Sequence, residues 1–390
     1  MSKLEELIEQ YCTDGVEWKP LGEATIMKRG TSATKGIMQE GDIPVISGGR
    51  QPAFHCNVSN RTGEVITVAG SGAGAGYVQY WNEPIFVCDA FSIQGNETLK
   101  TKYVYYVLTN IQEKIYSTKK GGGVPHVHIS SIDKFEIPVP PLPVQEEIVR
   151  VLDAFTELQA ELQAELQKRL QQYNYYRDNL LSVYSDSNTV RILELQQCVS
   201  PDCSMSYGVV QPGEDFIGGI PVVRPVDLSG RIIHNKGIKT VKPILLKAYS
   251  RTELKGGELL VCVRGTTGVV AFAGEDLKGG NVTRGIVPLR FNPLVNSNYM
   301  YHLFNSRIVK KQIENKTQGA ALQQINVGDL KKISIPIPPL AEQNRIVSIL
   351  DRFDTLTNDL TSGLPAEIEK RRQQYEYYRD KLLTFKRKGA

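Results

Sequence analysis

The sequence predicts an α/β (α+β) protein in which two related domains, each a small mixed β-sheet with helices, alternate with two long helices. Three observations lead to this fold class. Two long segments recur along the 390 residues, and an apolar stripe with helical spacing runs along each copy. Short apolar strands with glycine-rich turns make up the rest of the chain. The chain therefore carries an internal two-fold pseudo-repeat, and its length accommodates two or three domains.

The repeat is clearest at both ends of the long segments. Residues 137–153, IPVPPLPVQEEIVRVLD, match residues 335–351, IPIPPLAEQNRIVSILD, at ten of seventeen positions. Residues 171–181, QQYNYYRDNLL, match residues 373–383, QQYEYYRDKLL, at nine of eleven. The offset grows from 198 to 202, so the second copy contains four extra residues.

A long helix is predicted after each proline-rich segment. Between residues 148 and 180, apolar side chains recur three, four or seven apart with glutamines and charges between them, which is typical of a packed, coiled-coil-like stripe. A helix over residues 145–183 would be ~58 Å long. In the second copy, serine, glycine and proline within residues 362–365 interrupt the stripe, so we expect a kink or a break there.

The segments between the helices are related more distantly, as a shared fold with different surface chemistry requires. We expect matched strands and amphipathic helices, and we expect the opening residues 4–11 to continue the pattern circularly. The matched strands are 43–46 with 220–223 and 63–68 with 257–262, and the matched helices are 103–108 with 299–304. The predicted division is residues 1–136, 137–185, 186–334 and 335–390.

Composition favours a soluble chain. Charged side chains interrupt the first ten residues, and no apolar stretch reaches the roughly 18 residues that cross a bilayer. The six cysteines form no CxxC pair, so neither a zinc site nor a disulfide framework is predicted. We expect no targeting segment, no membrane span and a cytoplasmic location.

Charge is distributed unevenly although the whole chain is only +4. Residues 186–334 carry 19 basic and 12 acidic side chains, whereas residues 1–136 carry 13 and 15. The basic excess favours a polyanionic partner for the second segment, because Lys and Arg neutralise phosphates and release counterions. The first segment lacks that support.

Two motifs have alternative interpretations. The glycine-rich stretch Gly70–Gly76 could hold a nucleotide, but the residues after it are typical of a strand rather than a helix, which favours a hairpin-type turn. His126 and His128 could bind a metal, but the matched positions in the second segment are Gln324 and Asn326, which favours a variable recognition loop. No methyltransferase, P-loop or nuclease motif is present in the sequence, so the chemistry is expected to come from partners.

The Pro-Pro-Leu, Gln, Ile-Val and Leu-Asp pattern at the head of each helix, and the Tyr-Tyr-Arg-Asp-x-Leu-Leu pattern at its end, resemble the specificity subunits of Type I restriction-modification systems. The resemblance covers essentially the whole chain. It implies that residues 1–136 and 186–334 are target-recognition domains, each reading one half of an asymmetric, bipartite DNA site. It also implies that residues 137–185 and 335–390 pack as antiparallel coiled-coil helices that set the spacing.

The same resemblance implies the partners. Two modification (methyltransferase) subunits would dock on the helices, and restriction (ATP-dependent endonuclease) subunits would join them. S-adenosylmethionine would belong to the modification subunits, and ATP and Mg²⁺ to the restriction subunits. The chain itself would be a non-catalytic reader of double-stranded DNA with no cofactor and no metal.

Within each domain, loop positions select the candidate base and phosphate contacts, since bases are read by Arg, Lys, Asn, Gln, Ser, Thr or His. The first-domain candidates are Lys28, Arg29, Lys35, Arg50, Gln51, Lys119, Lys120, His126 and His128. The second-domain candidates are Arg224, Arg264, Arg284, Lys316, Thr317, Gln318, Gln323 and Gln324. The predicted partner contacts are Tyr175, Tyr176, Arg177, Tyr377, Tyr378 and Arg379, on the repeated helix ends.

Two rival functions remain open at this point. The first is a helical scaffold or interaction protein whose diverged domains do not bind DNA. The second is an enzyme that uses the glycine-rich stretch at 70–76 to bind a nucleotide. Sequence-specific duplex binding by the assembled complex contradicts the first, and failure to bind any nucleotide contradicts the second.

Overall fold

The computed structural model describes residues 3–32, 39–182, 190–319, 323–359 and 361–389. Across these ranges, the helices include none with the length and apolar character needed to cross a membrane. The chain divides into two compact units, residues 1–161 with 369–390 and residues 162–368. Each unit therefore combines one mixed domain with parts of both repeated helical segments.

The first unit builds its domain from short strands and helices. Its strands are β1 (Glu17–Pro20), β2 (Ile26–Arg29), β3 (Ile43–Ile46), β4 (Phe54–Cys56), β5 (Val65–Ala69), β6 (Val78–Trp81), β7 (Phe86–Val87), β8 (Ala90–Gln94) and β9 (Glu136–Val139). Its short helices are α1 (Lys3–Tyr11), α2 (Leu21–Ala24), α3 (Thr101–Asn110), α4 (Gln112–Tyr116) and α5 (Ile129–Ile132). The order β2-β8-β5-β6 makes an antiparallel sheet, β4-β3-β7 a mixed sheet, and β1 pairs with β9.

The second unit repeats this plan. Its strands are β10 (Arg191–Glu194), β11 (Ile220–Val223), β12 (Ile232–Ile233), β13 (Thr240–Val241), β14 (Leu259–Cys262), β15 (Val270–Ala273), β16 (Asn281–Val282), β17 (Ile286–Leu289) and β18 (Ser334–Ile337). Its short helices are α7 (Leu195–Cys198), α8 (Pro243–Leu246), α9 (Ser297–Asn305), α10 (Arg307–Lys316) and α11 (Val327–Lys331). The sheets run β12-β15-β14-β17 and β13-β11-β16, and β10 pairs with β18.

The predicted strand and helix matches are confirmed. β3 and β11 each pair in parallel with a two-residue strand later in the chain, β3 with β7 and β11 with β16. β5 and β14 are central and fully buried, because continuous apolar runs suit strands covered on both faces. α3 and α9 pack large aromatic side chains, including Tyr103 and Tyr299, into the cores of their own units.

The first long helix is also confirmed. α6 (Leu142–Ser182) is one helix of 41 residues, about 62 Å long. It begins three residues before the predicted start. Its second residue, Pro143, is tolerated there because the amides of the first helical turn have no partner within the helix. Ile148 and Leu152 bury in the core of the first unit, and Tyr173 and Leu181 in that of the second.

The predicted interruption of the second helical segment is a complete break. α12 (Leu340–Asn358) ends before it, and α13 (Leu364–Leu382) begins after it. Between them the Asp359 carboxylate accepts from the Thr361 amide at 2.7 Å, and the Gly363 amide donates to the Asp359 carbonyl at 3.0 Å. The mixed α+β class with an internal repeat and long helices therefore holds.

The end of the chain packs onto its beginning within the first unit, in agreement with the circular pattern. The Val16 amide donates to the Lys386 carbonyl at 2.9 Å, and the Lys388 amide donates back to the Val16 carbonyl at 3.0 Å. Leu4 and Leu383 share one core. In the second unit the end of α6 does the same for the segment beginning at residue 190, since Leu181 and Leu195 share a core.

Candidate nucleic-acid interface

Two loops of the first unit are held together by main-chain hydrogen bonds. They are residues 70–76, between β5 and β6, and residues 120–128, and we refer to them as the first loop pair. The Val127 amide donates to the Gly70 carbonyl at 2.9 Å, and the Gly72 amide donates to the Pro125 carbonyl at 3.0 Å. Lys120 and His126 exchange two further hydrogen bonds, of 3.0 and 2.7 Å, so the longer loop closes on itself as a hairpin.

Two loops of the second unit meet in the same way. Residues 264–268, between β14 and β15, and residues 318–326 form the second loop pair, of which 320–322 lie outside the described residues. The Ile325 amide donates to the Val263 carbonyl at 3.0 Å, and the Gly265 amide to the Gln323 carbonyl at 2.8 Å. Gln318 and Gln324 exchange bonds of 2.8 and 2.9 Å, as Lys120 and His126 do in the first pair.

Different side chains occupy corresponding positions of these matching backbones. A bridge joins the shorter loop to the longer one in both units, and the partners of each bridge set the correspondence. A hydroxyl in one unit is replaced by a guanidinium in the other, an amine by an amide, and an imidazole by an amide. The matched residues are Ser71 with Arg264, Lys120 with Gln318, and His126 with Gln324.

Three candidates of the first unit come together at one cleft. The cleft has a volume of about 210 Å³ and is lined by Arg29, His126 and His128, together with Asp89. The two imidazole rings lie nearly parallel, with centroids 6.0 Å apart and an interplanar angle of 4°. The cleft can therefore present both hydrogen-bond donors and acceptors to a ligand.

Sequence reasoning missed Asp89. The Ser71 hydroxyl donates a short hydrogen bond to its carboxylate, and the Gly70 amide donates to its carbonyl at 3.0 Å. Asp89 lies in the connection between β7 and β8, and the corresponding connection between β16 and β17 carries the candidate Arg284. Comparing these two connections in the sequence could have identified Asp89 as a candidate.

Arg50 and Lys119 lie over aromatic rings near the first loop pair. The Arg50 guanidinium is 4.9 Å from the centroid of Tyr77, and the Lys119 ammonium 4.1 Å from that of Tyr116. Burial raises the pKa of Tyr116, and the nearby Arg50 opposes this rise. These contacts limit the rotamers of the two cations, while Gln51 beside them is exposed.

The second unit brings Arg264 and Arg284 to one region. The Val263 amide donates to the Gly285 carbonyl at 2.8 Å, which ties the neighbours of both arginines together. Arg224 precedes Pro225, whose ring would lie 2.5 Å from a Cβ placed at Gly285. The Arg224 guanidinium, however, pairs with Asp227 at 2.8 and 3.1 Å, and this hydrogen bonding raises the pKa of Arg224.

The remaining candidates lie on or beside helices and strands, or outside the described residues. Lys28 and Arg29 are neighbours on β2, so their side chains point to opposite faces of the strand, and Arg29 is the one that lines the cleft. Thr317 donates its hydroxyl to the Ile313 carbonyl at 2.7 Å, beside Lys316 at the end of α10. Lys35 lies outside the described residues.

The predicted partner-binding tyrosines form matching exposed pairs. Tyr175 is 65% exposed and packs edge-on against Tyr176, which itself stacks on Phe353 of α12 with centroids 5.5 Å apart. In the first unit Tyr377 is 62% exposed and packs edge-on against Tyr378. One tyrosine of each pair is thus committed to a helix–helix contact, and the other faces outward.

The second tyrosine pair makes the equivalent stack, since Tyr378 lies against Phe155 of α6 with centroids 5.4 Å apart. The two arginines that follow the tyrosines make contacts within their own units. Arg177 is buried beside Tyr173. Arg379 donates to the Asn110 side chain at 2.9 Å.

The two motifs with alternative interpretations have defined surroundings in the described part of the chain. The glycine-rich stretch joins the antiparallel strands β5 and β6, so the predicted hairpin-type turn is confirmed and no helix N-terminus follows it. Among the described residues, no group of three or more His, Cys, Asp or Glu side chains is placed to hold a metal ion.

A family model and two relatives match most of this chain. The family model described as "Type I restriction modification DNA specificity domain" matches residues 14–172 and 214–370. The chain is 33% identical to a putative type I restriction enzyme specificity subunit from Haemophilus influenzae, over 98% of both chains. It is 32% identical to a type I restriction enzyme specificity subunit from Escherichia coli, over 99% of this chain and 97% of the relative.

Two solved structures share the fold. The crystal structure of the S subunit of a Type I restriction-modification system from M. genitalium superposes with a TM-score of 0.59 at 17% identity, covering 94% of this chain and 95% of that one. A chain from a study of complex assembly and conformational transition of the type I R-M system gives 0.58 at 18% identity, covering 95% and 97%.

Proposed function

The chain belongs to the Type I restriction-modification DNA specificity family, and we propose that each of its two domains reads one half of an asymmetric, bipartite DNA site through its own loop pair. In this proposal the chain is the non-catalytic recognition subunit, and methylation and cleavage are performed by partner subunits. The long helices set the distance between the half-sites.

The observation that carries this proposal is the matching backbone of the two loop pairs. Both hold a short turn against a longer loop by the same main-chain bonds, yet the side chains at matched positions differ in charge and in hydrogen-bonding groups. A constant frame with variable side chains is what sequence recognition requires, because the frame positions the loop and the side chains select the base.

The side chains of the second loop pair suit major-groove recognition. Glutamine bonds bidentately to adenine, and arginine to guanine, so Gln318, Gln324 and Arg264 offer base contacts. The lysine and arginine excess of residues 186–334 would add phosphate contacts that do not depend on sequence. In the first unit Lys119 and Lys120 would serve phosphates, and Arg29, His126 and His128 would face the bases.

The helices supply spacing and docking in this proposal. Half-sites on one face of B-DNA recur every ~34 Å, which a helix of 41 residues is long enough to span. Tyr175 and Tyr377, exposed on repeated helix ends, are suited to anchor two modification subunits, because exposed aromatic side chains are frequent interface anchors. Restriction subunits would join that assembly.

The experiment is to co-express this chain with a cognate modification subunit and to map methylated adenines across a genome by single-molecule sequencing. We expect a split, asymmetric motif that disappears when this chain is omitted. Replacing residues 186–334 with those of another family member should change one half of the motif and leave the other unchanged. A stable complex without chain-dependent methylation would contradict the proposal and favour the scaffold function.

A further inference from the structure

Asp89 differs from the other polar groups of the first cleft because it is an exposed carboxylate on a surface that faces DNA in the proposed function. It lies beside Arg29, His126 and His128 in the cleft wall. Among the described residues, its carboxylate forms a hydrogen bond with the Ser71 hydroxyl and no ion pair. Its carboxylate therefore has no ion-pair partner in that part of the chain, although Arg29 lines the same cleft.

The carboxylate is also held in a defined direction. Ser71 donates to Oδ2, and Oδ1 accepts no hydrogen bond from the described residues, so Oδ1 is the more available acceptor for a ligand. A Cβ at Gly70 would lie 3.1 Å from this Oδ1 and 3.1 Å from the Asp89 carbonyl oxygen. Glycine at position 70 therefore keeps the space around the accepting oxygen open, and the serine limits rotation of the carboxylate.

An unneutralised carboxylate on a DNA-binding surface has few favourable contacts. Phosphates repel it, since like charges a few ångströms apart destabilise a complex. The groups it can accept from in the major groove are the exocyclic amino groups, N4 of cytosine and N6 of adenine. Asp89 would thus weaken DNA binding unless one of these amino groups lies opposite it.

We infer that Asp89 is a specificity-determining residue of the first half-site, whose carboxylate accepts a hydrogen bond from the exocyclic amino group of one cytosine or adenine in the major groove. The inference rests on the proposed function. The matched connection of the second domain carries Arg284, which donates instead of accepting. The two domains are therefore expected to present opposite hydrogen-bonding groups from this connection.

The test uses the complex of the full chain with its modification subunit and compares Asp89→Asn and Asp89→Ala with the wild type. Methylome mapping should show that one position of the first half-site loses selectivity by about 5- to 140-fold, while the second half-site is unchanged. Ser71→Ala should cause a smaller loss at the same position. The matched control is Glu83→Gln, which changes an exposed carboxylate of the same domain outside the cleft.

Binding to synthetic duplexes identifies the amino group directly. At the affected position, purine replaces adenine, or 2-pyrimidinone replaces cytosine, so that the amino group is removed. The wild-type complex should lose affinity for the altered duplex, and the Asp89→Ala complex should bind both duplexes equally. The inference is overturned if Asp89→Ala leaves the motif unchanged, or if it abolishes methylation at both half-sites. The wild-type motif itself reports separately on the proposed function.

Discussion

The two recognition domains share one backbone arrangement but carry different charges at matched positions. Where the first loop pair has a serine, a lysine and a histidine, the second has an arginine and two glutamines at matched positions. The connection next to the loops carries Asp89 in one domain and Arg284 in the other. Because the same main-chain bonds join strand ends and loops in both domains, one backbone frame carries different side chains.

The contact between each domain and its helix diverges in the same manner. In the second unit Arg231 bridges Asp351 and Asp354 at 2.9 Å each, and His302 links Asp351 at 2.7 Å to the Tyr173 hydroxyl at 3.0 Å. Burial by itself raises the pKa of Asp351, but the hydrogen bond from His302 and the charge of Arg231 lower it overall. This charged network is partly buried: Asp354 and His302 are buried, whereas Arg231 and Asp351 are 23% and 34% exposed.

The first unit replaces that network with a smaller one. Tyr106 donates its hydroxyl to Asp153, and Lys102 pairs with the same carboxylate at 2.8 Å. Burial, with the hydrogen bond to Asp153, raises the pKa of Tyr106 well above its ordinary value. Because the lysine and the aspartate are 32% and 24% exposed, water screens this pair more than the Arg231–Asp354 pair, whose side chains are 23% and 5% exposed.

The largest expected effect is loss of the arginine network. Arg231→Ala leaves the Asp354 carboxylate, which is 5% exposed, without its cation, and removing one partner of a buried pair costs about 3 to 5 kcal/mol. The matched variant Lys102→Ala removes a more exposed partner and should cost about 0 to 1 kcal/mol. Amide hydrogen exchange on the complex reports each unit separately. Equal losses of protection would contradict the contrast.

Replacing a matched glycine by alanine should destabilise each domain to a similar extent, because the two domains share this backbone arrangement. A Cβ at Gly30 would lie 2.0 Å from the Cys88 carbonyl oxygen, and one at Gly208 would lie 1.9 Å from that of Val282. Each substitution should cost about 1 to 3 kcal/mol and disturb its own half-site in methylome mapping. Gly328→Ala, on α11 with no atom within 4 Å of its Cβ, is the control. A loss in one domain alone would show that the backbones are not equivalent.

Recognition by the matched side chains should be confined to one half-site each. His126→Ala should relax selectivity in the first half and Gln324→Ala in the second, by about 1 to 3 kcal/mol of base discrimination. Binding of the complex to duplexes with single base-pair changes measures this. His55→Ala, an exposed histidine on β4, should leave both halves unchanged. Any variant that alters both halves equally would contradict separate readout.

The smallest expected effect is on the unfolding free energy of the first unit, and it depends on acidic pH. Hydrogen bonds from Arg150, opposed by burial and assisted by Lys3, lower the pKa of Glu147 to about 2. Its stabilising contribution is therefore present above its ordinary pKa of 4.5 and disappears as the pH falls from 4.5 towards 2.

Glu147→Gln should therefore flatten the dependence of unfolding free energy on pH in that range, measured by hydrogen exchange in the first unit. The matched residue of the second unit is Arg345, which pairs with Glu342 at 2.6 Å, so the second unit lacks this carboxylate. An unchanged pH profile in the variant would contradict the assignment.

Much of the fold could be predicted from the sequence because its signals are local or repeated. The stripe of α6, the interruption between α12 and α13, and the matched strands β3 and β11 each depend on residue spacing within a short segment. The candidate loops were also located, since glycine-rich turns after buried strands identify where loops begin. The division at 1–136, 137–185, 186–334 and 335–390 and the individual DNA contacts remain predictions.

The duplication, the long helices and the loops with different side chains could be predicted from sequence, because periodicity and repetition are properties of the chain itself. Which loop residues meet depends on the tertiary structure. Ser71 and Asp89 are 18 residues apart and meet only because the ends of β5 and β8 are neighbours in one sheet. Arg224, a candidate base contact by its position, forms an ion pair with Asp227. Such contacts depend on strand pairing and side-chain geometry, which residue spacing along the chain does not specify.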